Sequence, residues 1–173
     1  RDSLDGLLVA SPSNPSGTML SRRGLENLID TSHSIGANFI SDEIYHGIQY
    51  EKKAVSALEV TDNCYVINSF SKFFSMTGWR VGWMVVPEKH IRIVERLAQN
   101  LFICSPHISQ VAALEAMSCE DELAQNLDIY RENRQIIMDG LSQIGFENFA
   151  PPDGAFYFYV DTVSYTHLTL PTI

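Results

Sequence analysis

The sequence predicts an α/β fold, a mostly parallel sheet flanked by helices, and three observations predict it. First, an apolar run at residues 7–10 is followed by a helical stripe and then by a second strand-like run at residues 38–41. That order is a right-handed crossover between parallel strands. Second, Tyr65-Val66-Ile67-Asn68 is β-branched and apolar enough for a further buried strand. Third, from residue 87 to residue 145 apolar side chains recur in steps of three and four, the pattern of helices that cover a sheet.

Taken in order, the first strand, Leu7-Leu8-Val9-Ala10, runs into Ser11-Pro12-Ser13-Asn14-Pro15-Ser16-Gly17-Thr18. Two prolines and a glycine in eight residues leave room for neither a helix nor an inner strand, so this is a rigid loop. A helix follows. Ser21 suits its N-cap, Leu20 and Leu25 its staple, and Gly36 its end. Leu25, Leu28, Ile29, Ser32 and Ile35 mark its inner face. The strand at residues 38–41 then leads into Asp42-Glu43-Ile44-Tyr45-His46, and the strand at 65–68 into Ser69-Phe70-Ser71-Lys72. All three loops therefore leave the carboxyl ends of parallel strands, the edge where open α/β sheets bind ligands.

Val81-Gly82-Trp83-Met84-Val85-Val86 reads as another buried strand. Pro87 suits the first turn of a helix carrying Ile91, Val94, Ala98 and Leu101. Ser105-Pro106 caps a second, with Ile108, Val111, Leu114 and Met117 as its packed side. A longer third begins near Glu120, carries Leu123, Leu127, Tyr130, Ile137, Leu141 and Ile144, and ends at Gly145. After a turn, Ala155-Phe156-Tyr157-Phe158-Tyr159-Val160 has the look of a half-exposed aromatic strand. Residues 162–173 carry no assignable element.

The totals bound the function. The 173 residues are 45% hydrophobic with a mean hydropathy of -0.04, enough for a sizeable core. A net charge of -9 and the lack of any extended Lys/Arg cluster argue against nucleic acid. No apolar run approaches the ~20 residues that a membrane span needs. Three widely spaced cysteines and no Cys-x-x-Cys favour a reduced, cytoplasmic setting. Five histidines without ligand spacing argue against a metal site.

The chemistry gathers at Ser69-Phe70-Ser71-Lys72-Phe73-Phe74-Ser75-Met76-Thr77-Gly78-Trp79-Arg80. A lysine at a strand end among large apolar side chains is disfavoured as the ammonium, which frees its amine as a nucleophile. The flanking hydroxyls and the arginine fork suit a phosphate. Together they point to a Schiff-base lysine beside a phosphate handle. The plainer alternatives are a solvated Lys72 in a serine-rich turn, Asp42 as a helix cap, Tyr45 as a core ring and Arg80 as a surface ion pair.

Three motifs in register, Ser13-Asn14-Pro15-Ser16-Gly17-Thr18, Ser41-Asp42-Glu43-Ile44-Tyr45 and Ser69 through Arg80, resemble those of class I/II aminotransferases. These are pyridoxal-phosphate enzymes of the aspartate aminotransferase fold type, and the resemblance covers about residues 4–161. It implies part of the large domain of the type I transferases, with the beginning of a small α+β domain. Residues 1–119 would be the second half of the cofactor-binding domain, and 120–161 the connecting helix and the start of the small domain. Residues 162–173 depart from the family.

By the same resemblance, Lys72 looks like the lysine that holds pyridoxal 5'-phosphate as a Schiff base and later moves the proton. Asp42 looks like the partner of the ring nitrogen, and Tyr45 and Asn14 like donors to the ring oxygen. Ser69 and Arg80, with Ser71, look like phosphate contacts. The implied activity moves an α-amino group between an amino acid and a 2-oxo acid, in a cytoplasmic homodimer that binds neither nucleic acid nor membrane. β-Elimination on the same scaffold, or the effector-binding domain of a transcription regulator, is the alternative. The family's Gly-rich phosphate loop, its ring-stacking aromatic and its later carboxylate-binding arginine have no counterpart in this sequence. The expectation is a piece holding half of a site, inactive alone, with an exposed sheet edge.

Overall fold

The computed structural model describes residues 4–146 and 148–161. The element order is β1 (Gly6–Ala10), α1 (Arg22–Ser34), β2 (Asn38–Asp42), β3 (Tyr65–Ser69), β4 (Gly82–Val85), α2 (Ile91–Leu101), α3 (His107–Ala116) and α4 (Glu120–Gln143). The strands form one sheet in the order β1-β2-β3-β4. β1, β2 and β3 are parallel and β4 runs antiparallel to β3. Ala10 lies opposite Asp42, and Asp42 opposite Ile67, so the chain leaves three neighbouring strands at one edge. The tail at residues 162–173 lies outside the described residues.

α1 forms as the sequence predicts. Ser21 Oγ accepts a hydrogen bond from the Gly24 N–H at 3.1 Å, closing the first turn. Leu25 and Ile29 pack against Phe39, Ala57, Cys64 and Val66, the core between helix and sheet. Ile35 is the exception on the predicted face. It is the C-cap residue, past the last turn, and is exposed. Gly36, at φ +77°, reverses the chain into β2. Burial lifts the Cys64 thiol to about 11, so this cysteine behaves as a small core hydrophobe. No described helix is long and apolar enough to cross a membrane.

Four expectations are corrected. β4 is a strand but not a buried one, because it pairs only with β3 and all four of its residues are exposed. The stripe of α3 faces the other way: Ile108, Val111, Leu114 and Met117 are exposed, whereas Ser109 and Ala113 are buried. Small residues at 112, 113 and 116 let α3 approach Phe70, Phe74, Met76 and Val81 closely. On α2, Ile91 and Leu101 are likewise exposed. Periodicity reveals that a stripe exists, not which neighbour covers it. Third, α3 starts at His107 with Pro106 as its N-cap and no side-chain cap, so Ser105 does not serve. Pro87 similarly precedes a short 3-10 turn, Glu88–His90, before α2 begins.

Fourth, residues 155–160 do not form a strand. They make one isolated bridge, Val160 to Phe149, and Gly154 just before them makes another to Gln49. Ala155, at φ +57°, breaks the extended path. The rings of Tyr45, Tyr130, Phe156 and Tyr157 pack on one another instead.

This segment is nevertheless firmly docked. The Gly154 N–H donates to the Gly17 carbonyl and the Ala155 N–H to the Ile48 carbonyl, each at 2.9 Å. Asp153 accepts from the Met19 N–H at 3.1 Å. Arg134 of α4 donates to the Pro152 carbonyl at 2.9 Å and pairs with Glu51. Gly154 is tightly enclosed, since a Cβ there would meet the Ile48 carbonyl oxygen and Pro12 Cγ at 2.7 Å. Gly154→Ala is therefore expected to cost about 1–3 kcal/mol of stability by overpacking, read as a lowered denaturant midpoint.

Candidate active site

Each of the three loops is held by its own side chains before it meets the others. After β1, the peptide bonds preceding Pro12 and Pro15 are cis. The Gly17 N–H donates to the Ser13 carbonyl at 2.7 Å and the Ser13 N–H to the Thr18 carbonyl at 3.0 Å, folding the loop onto itself. Ser11 Oγ accepts from the Leu20 N–H at 3.0 Å. Asn14 stands exposed at the tip.

After β2, the Asp42 carboxylate accepts the Ile44 N–H at 3.1 Å and turns the chain, which buries Tyr45. Glu43 is buried too, at 3% exposure. Its carboxylate accepts from the Ala57 N–H at 2.8 Å and from Ser41 Oγ at 3.0 Å, and it faces His46 Nδ1 at 3.4 Å. His46 Nε2 lies 3.0 Å from the Ser11 carbonyl oxygen. The imidazole thus bridges the loop after β2 to the loop after β1.

After β3, Asn68 Oδ1 accepts from the Ser69 N–H at 2.8 Å and Ser69 Oγ from the Ser71 N–H at 3.1 Å. Thr77 Oγ1 donates to the Ser71 carbonyl at 2.7 Å, and the Arg80 guanidinium to the Thr77 carbonyl at 3.0 Å. The Ser75 N–H donates to the Lys72 carbonyl at 3.0 Å. This compact loop carries Lys72, and Phe73 beside it fills the space over Gly47. A Cβ at Gly47 would lie 2.4 Å from Phe73 Cγ, and its φ of +97° also demands glycine.

The loops converge on Tyr45. Lys72 Nζ lies 5.9 Å from the ring centroid of Tyr45 and equally far from that of Phe156, within cation–π range. The Tyr45 hydroxyl is hydrogen-bonded to that of Tyr157 at 2.5 Å. Burial pushes Tyr45 well above the usual tyrosine range. The hydrogen bond with Tyr157, the repulsion from that second phenol and the Asp42 carboxylate act in the same direction, while Asn14 opposes. Tyr45 is therefore a neutral hydrogen-bond donor throughout the physiological range.

Of the residues singled out in the sequence, Lys72 lies 5.9 Å from the Tyr45 ring centroid, and Asn14 and Asp42 both bear on the ionisation of Tyr45. Ser69, Ser71 and Arg80 form a separate bonded run through Thr77, and the Arg80 bond goes to Thr77 rather than to the Tyr45 group. Sequence reasoning missed Phe156 and Tyr157, whose only signal was an aromatic segment that suits ordinary packing equally well. It also missed the parts played by Glu43, which sits within the 41–45 motif without any mark of its burial, and by His46 just after it.

The family model described as aminotransferase class I and II matches residues 2–169. The chain belongs to that family. The match reaches past residue 161, where the resemblance seen in the sequence stopped. The chain is 42% identical over 167 residues to the valine–pyruvate aminotransferase of Mycobacterium tuberculosis, covering 94% of this chain and 43% of that protein. It is 33% identical over 156 residues to the aspartate aminotransferase of Thermotoga maritima, covering 88% and 41%. A solved protein from Silicibacter pomeroyi, assigned as an aminotransferase, superposes with a TM-score of 0.90 at 63% identity, over 92% of this chain and 43% of that one. The chain thus spans less than half the length of the aminotransferases it matches.

Within this member of the family, Glu43→Ala would strand the Ala57 N–H, the Ser41 hydroxyl and the His46 ring. The expected cost is about 3 kcal/mol in unfolding free energy, with Glu43→Gln losing less because it keeps an acceptor.

Proposed function

We propose that this chain supplies the cofactor-holding part of a pyridoxal-phosphate-dependent aminotransferase. The observation that carries the reading is one amine, Lys72 Nζ, 5.9 Å from the ring of a buried phenol whose ionisation Asn14 and Asp42 both influence. The donor set fits the cofactor. An amine suits its aldehyde, a carboxylate its ring nitrogen, a neutral phenol and an amide its ring oxygen, and two hydroxyls with a guanidinium its phosphate. When bound, pyridoxal phosphate supplies an electron sink for negative charge at the substrate's α-carbon.

The chain's own residues do the rest. Lys72 would hold the cofactor through its amine, and its Nζ would serve as the base for the proton on the substrate's α-carbon. The Asp42 carboxylate keeps the ring nitrogen protonated, since a close opposite charge favours the cationic form. An amide could not, because it carries no charge. Tyr45 and Asn14 donate to the ring oxygen. Arg80, Ser69 and Ser71 anchor the phosphate, which fixes the ring relative to Lys72. Residues 1–119 belong to the large domain and 120–161 lead into the small one. The complete protein is a cytoplasmic homodimer acting on an amino acid and a 2-oxo acid, with neither nucleic acid nor membrane as partner. The valine–pyruvate relative makes an apolar amino acid and pyruvate the first substrates to try.

Incubating the full-length protein with pyridoxal phosphate, reducing with borohydride and mapping the label is expected to mark Lys72, and Lys72→Ala to abolish the mark. Label on Lys52, Lys53 or Lys89 instead would overturn the assignment. Asp42→Asn is expected to retain cofactor but lose turnover by two or more orders of magnitude, roughly the loss of about 3 kcal/mol of transition-state stabilisation. Near-normal turnover would refute the role of that carboxylate. Product formation that requires an oxo-acid acceptor supports transamination, whereas acceptor-independent release of a β-substituent would point to elimination.

A further inference from the structure

The peptide group that leads from Ser11 into Pro12 opens the loop that carries Asn14. Proline has no N–H, so this group can be held only through its carbonyl oxygen. Ser11 and Pro12 are both buried, where an unpaired carbonyl is costly. His46 Nε2 lies 3.0 Å from that oxygen. A carbonyl only accepts, so chemistry fixes the direction of this bond: the imidazole N–H donates.

His46 is itself fixed from the other loop. Its main-chain N–H donates to the Glu43 carbonyl at 2.9 Å, which ties it into the turn that carries Asp42 and Tyr45. Its Nδ1 faces the Glu43 carboxylate at 3.4 Å, and its side chain is mostly buried. The other bonds of Ser11 hold different atoms. Its N–H donates to the Asp42 carbonyl at 3.2 Å and continues the sheet, and its Oγ accepts from Leu20. Past Pro12 the loop is stiffened by the bonds of Ser13 to Thr18 and of Gly17 to Ser13. A stiff loop follows the peptide plane at its root, and the imidazole joins that plane to the Tyr45 turn.

We propose that His46 is a positioning residue: by donating from Nε2 to the Ser11 carbonyl it sets the angle at which the Asn14 loop leaves β1, and so brings the Asn14 amide to the same cofactor oxygen that Tyr45 serves. The assignment rests on the reading above, in which Asn14 and Tyr45 are the ring-oxygen donors. Without the tether the Asn14 amide stands off from that oxygen. The oxygen then keeps more negative charge and attracts the neighbouring proton on the lysine-linked nitrogen more strongly, so that proton leaves at higher pH.

Two substitutions separate the tether from the ring that makes it. The amide of glutamine reaches as far as Nε2, whereas the amide of asparagine reaches only as far as Nδ1. Both remove the imidazole, so the loss of its packing affects them alike. In the full-length holoenzyme the visible band of the Lys72-bound cofactor is titrated against pH. His46→Asn is expected to raise the midpoint by about half a pH unit, a part of one hydrogen bond, and His46→Gln to leave it at the value of the unsubstituted protein. Asn14→Ala is expected to raise it at least as much. Adding His46→Asn to Asn14→Ala is expected to change nothing further, because His46 acts through Asn14. Borohydride trapping on Lys72 in each variant reports whether the cofactor is held, and loss of the label in His46→Asn alone is the stronger form of the expected result. An unchanged midpoint in His46→Asn overturns the proposal. So does an equal shift in His46→Gln, an equal shift on top of Asn14→Ala, or loss of the label in both His46 variants. A missing label in the unsubstituted protein, or no shift in Asn14→Ala, would instead sink the cofactor reading on which it stands.

Discussion

The buried carboxylate of Glu43 is the constraint on which the site depends. Among the described residues it is the one charged side chain in the buried set. Taking a carboxylate out of water costs several kcal/mol unless its lone pairs are filled. Three elements fill them: the Ser41 hydroxyl at the end of β2, the Ala57 N–H in the short turn beyond it, and His46, which reaches on to Ser11. The geometry that satisfies Glu43 therefore fixes Asp42 and Tyr45 on either side of it. It also fixes the root of the loop that carries Asn14. A group with no part in the assigned chemistry sets where the chemical groups stand.

A second constraint comes from further along the chain. The segment after α4 is not woven into the sheet, but it closes over the same loops by main-chain bonds through Gly17, Ile48 and Tyr50. The Arg134–Glu51 pair and the stacking of Arg134 on Tyr50, at 4.9 Å, secure it from α4. Arg134 is mostly buried while Glu51 is largely exposed, so the guanidinium's worth lies as much in its contact with Pro152 and Tyr50 as in the ion pair.

The parallel part of the fold was legible because its determinants are local. Leu7 to Ala10, the Ser21 cap, the Leu25–Ile29 stripe and the β-branched run at 65–68 each state their own conformation, and their order fixes handedness. The motif residues were legible as a set because strand ends in a parallel sheet share an edge. What stayed hidden depends on neighbours distant in sequence. Which face of α3 is covered was settled by small residues packing on Phe70 and Met76, and the exposure of β4 by its place at the rim. Tyr157 was hidden for the same reason. Its partner is on a loop that nothing in its own segment announces, and the positive φ of Ala155 that aims it is invisible in the letters.

The fit of Phe73 over Gly47 has a meaning for anyone redesigning this scaffold. The two positions behave as a lock and its bolt: one residue without a side chain, and one ring that occupies the vacated volume. A library that diversifies the stretch around Tyr45 without touching the lysine loop will stall at position 47, whatever it offers elsewhere. Trimming the phenylalanine relieves the contact alone, because the φ of +97° at position 47 still favours glycine.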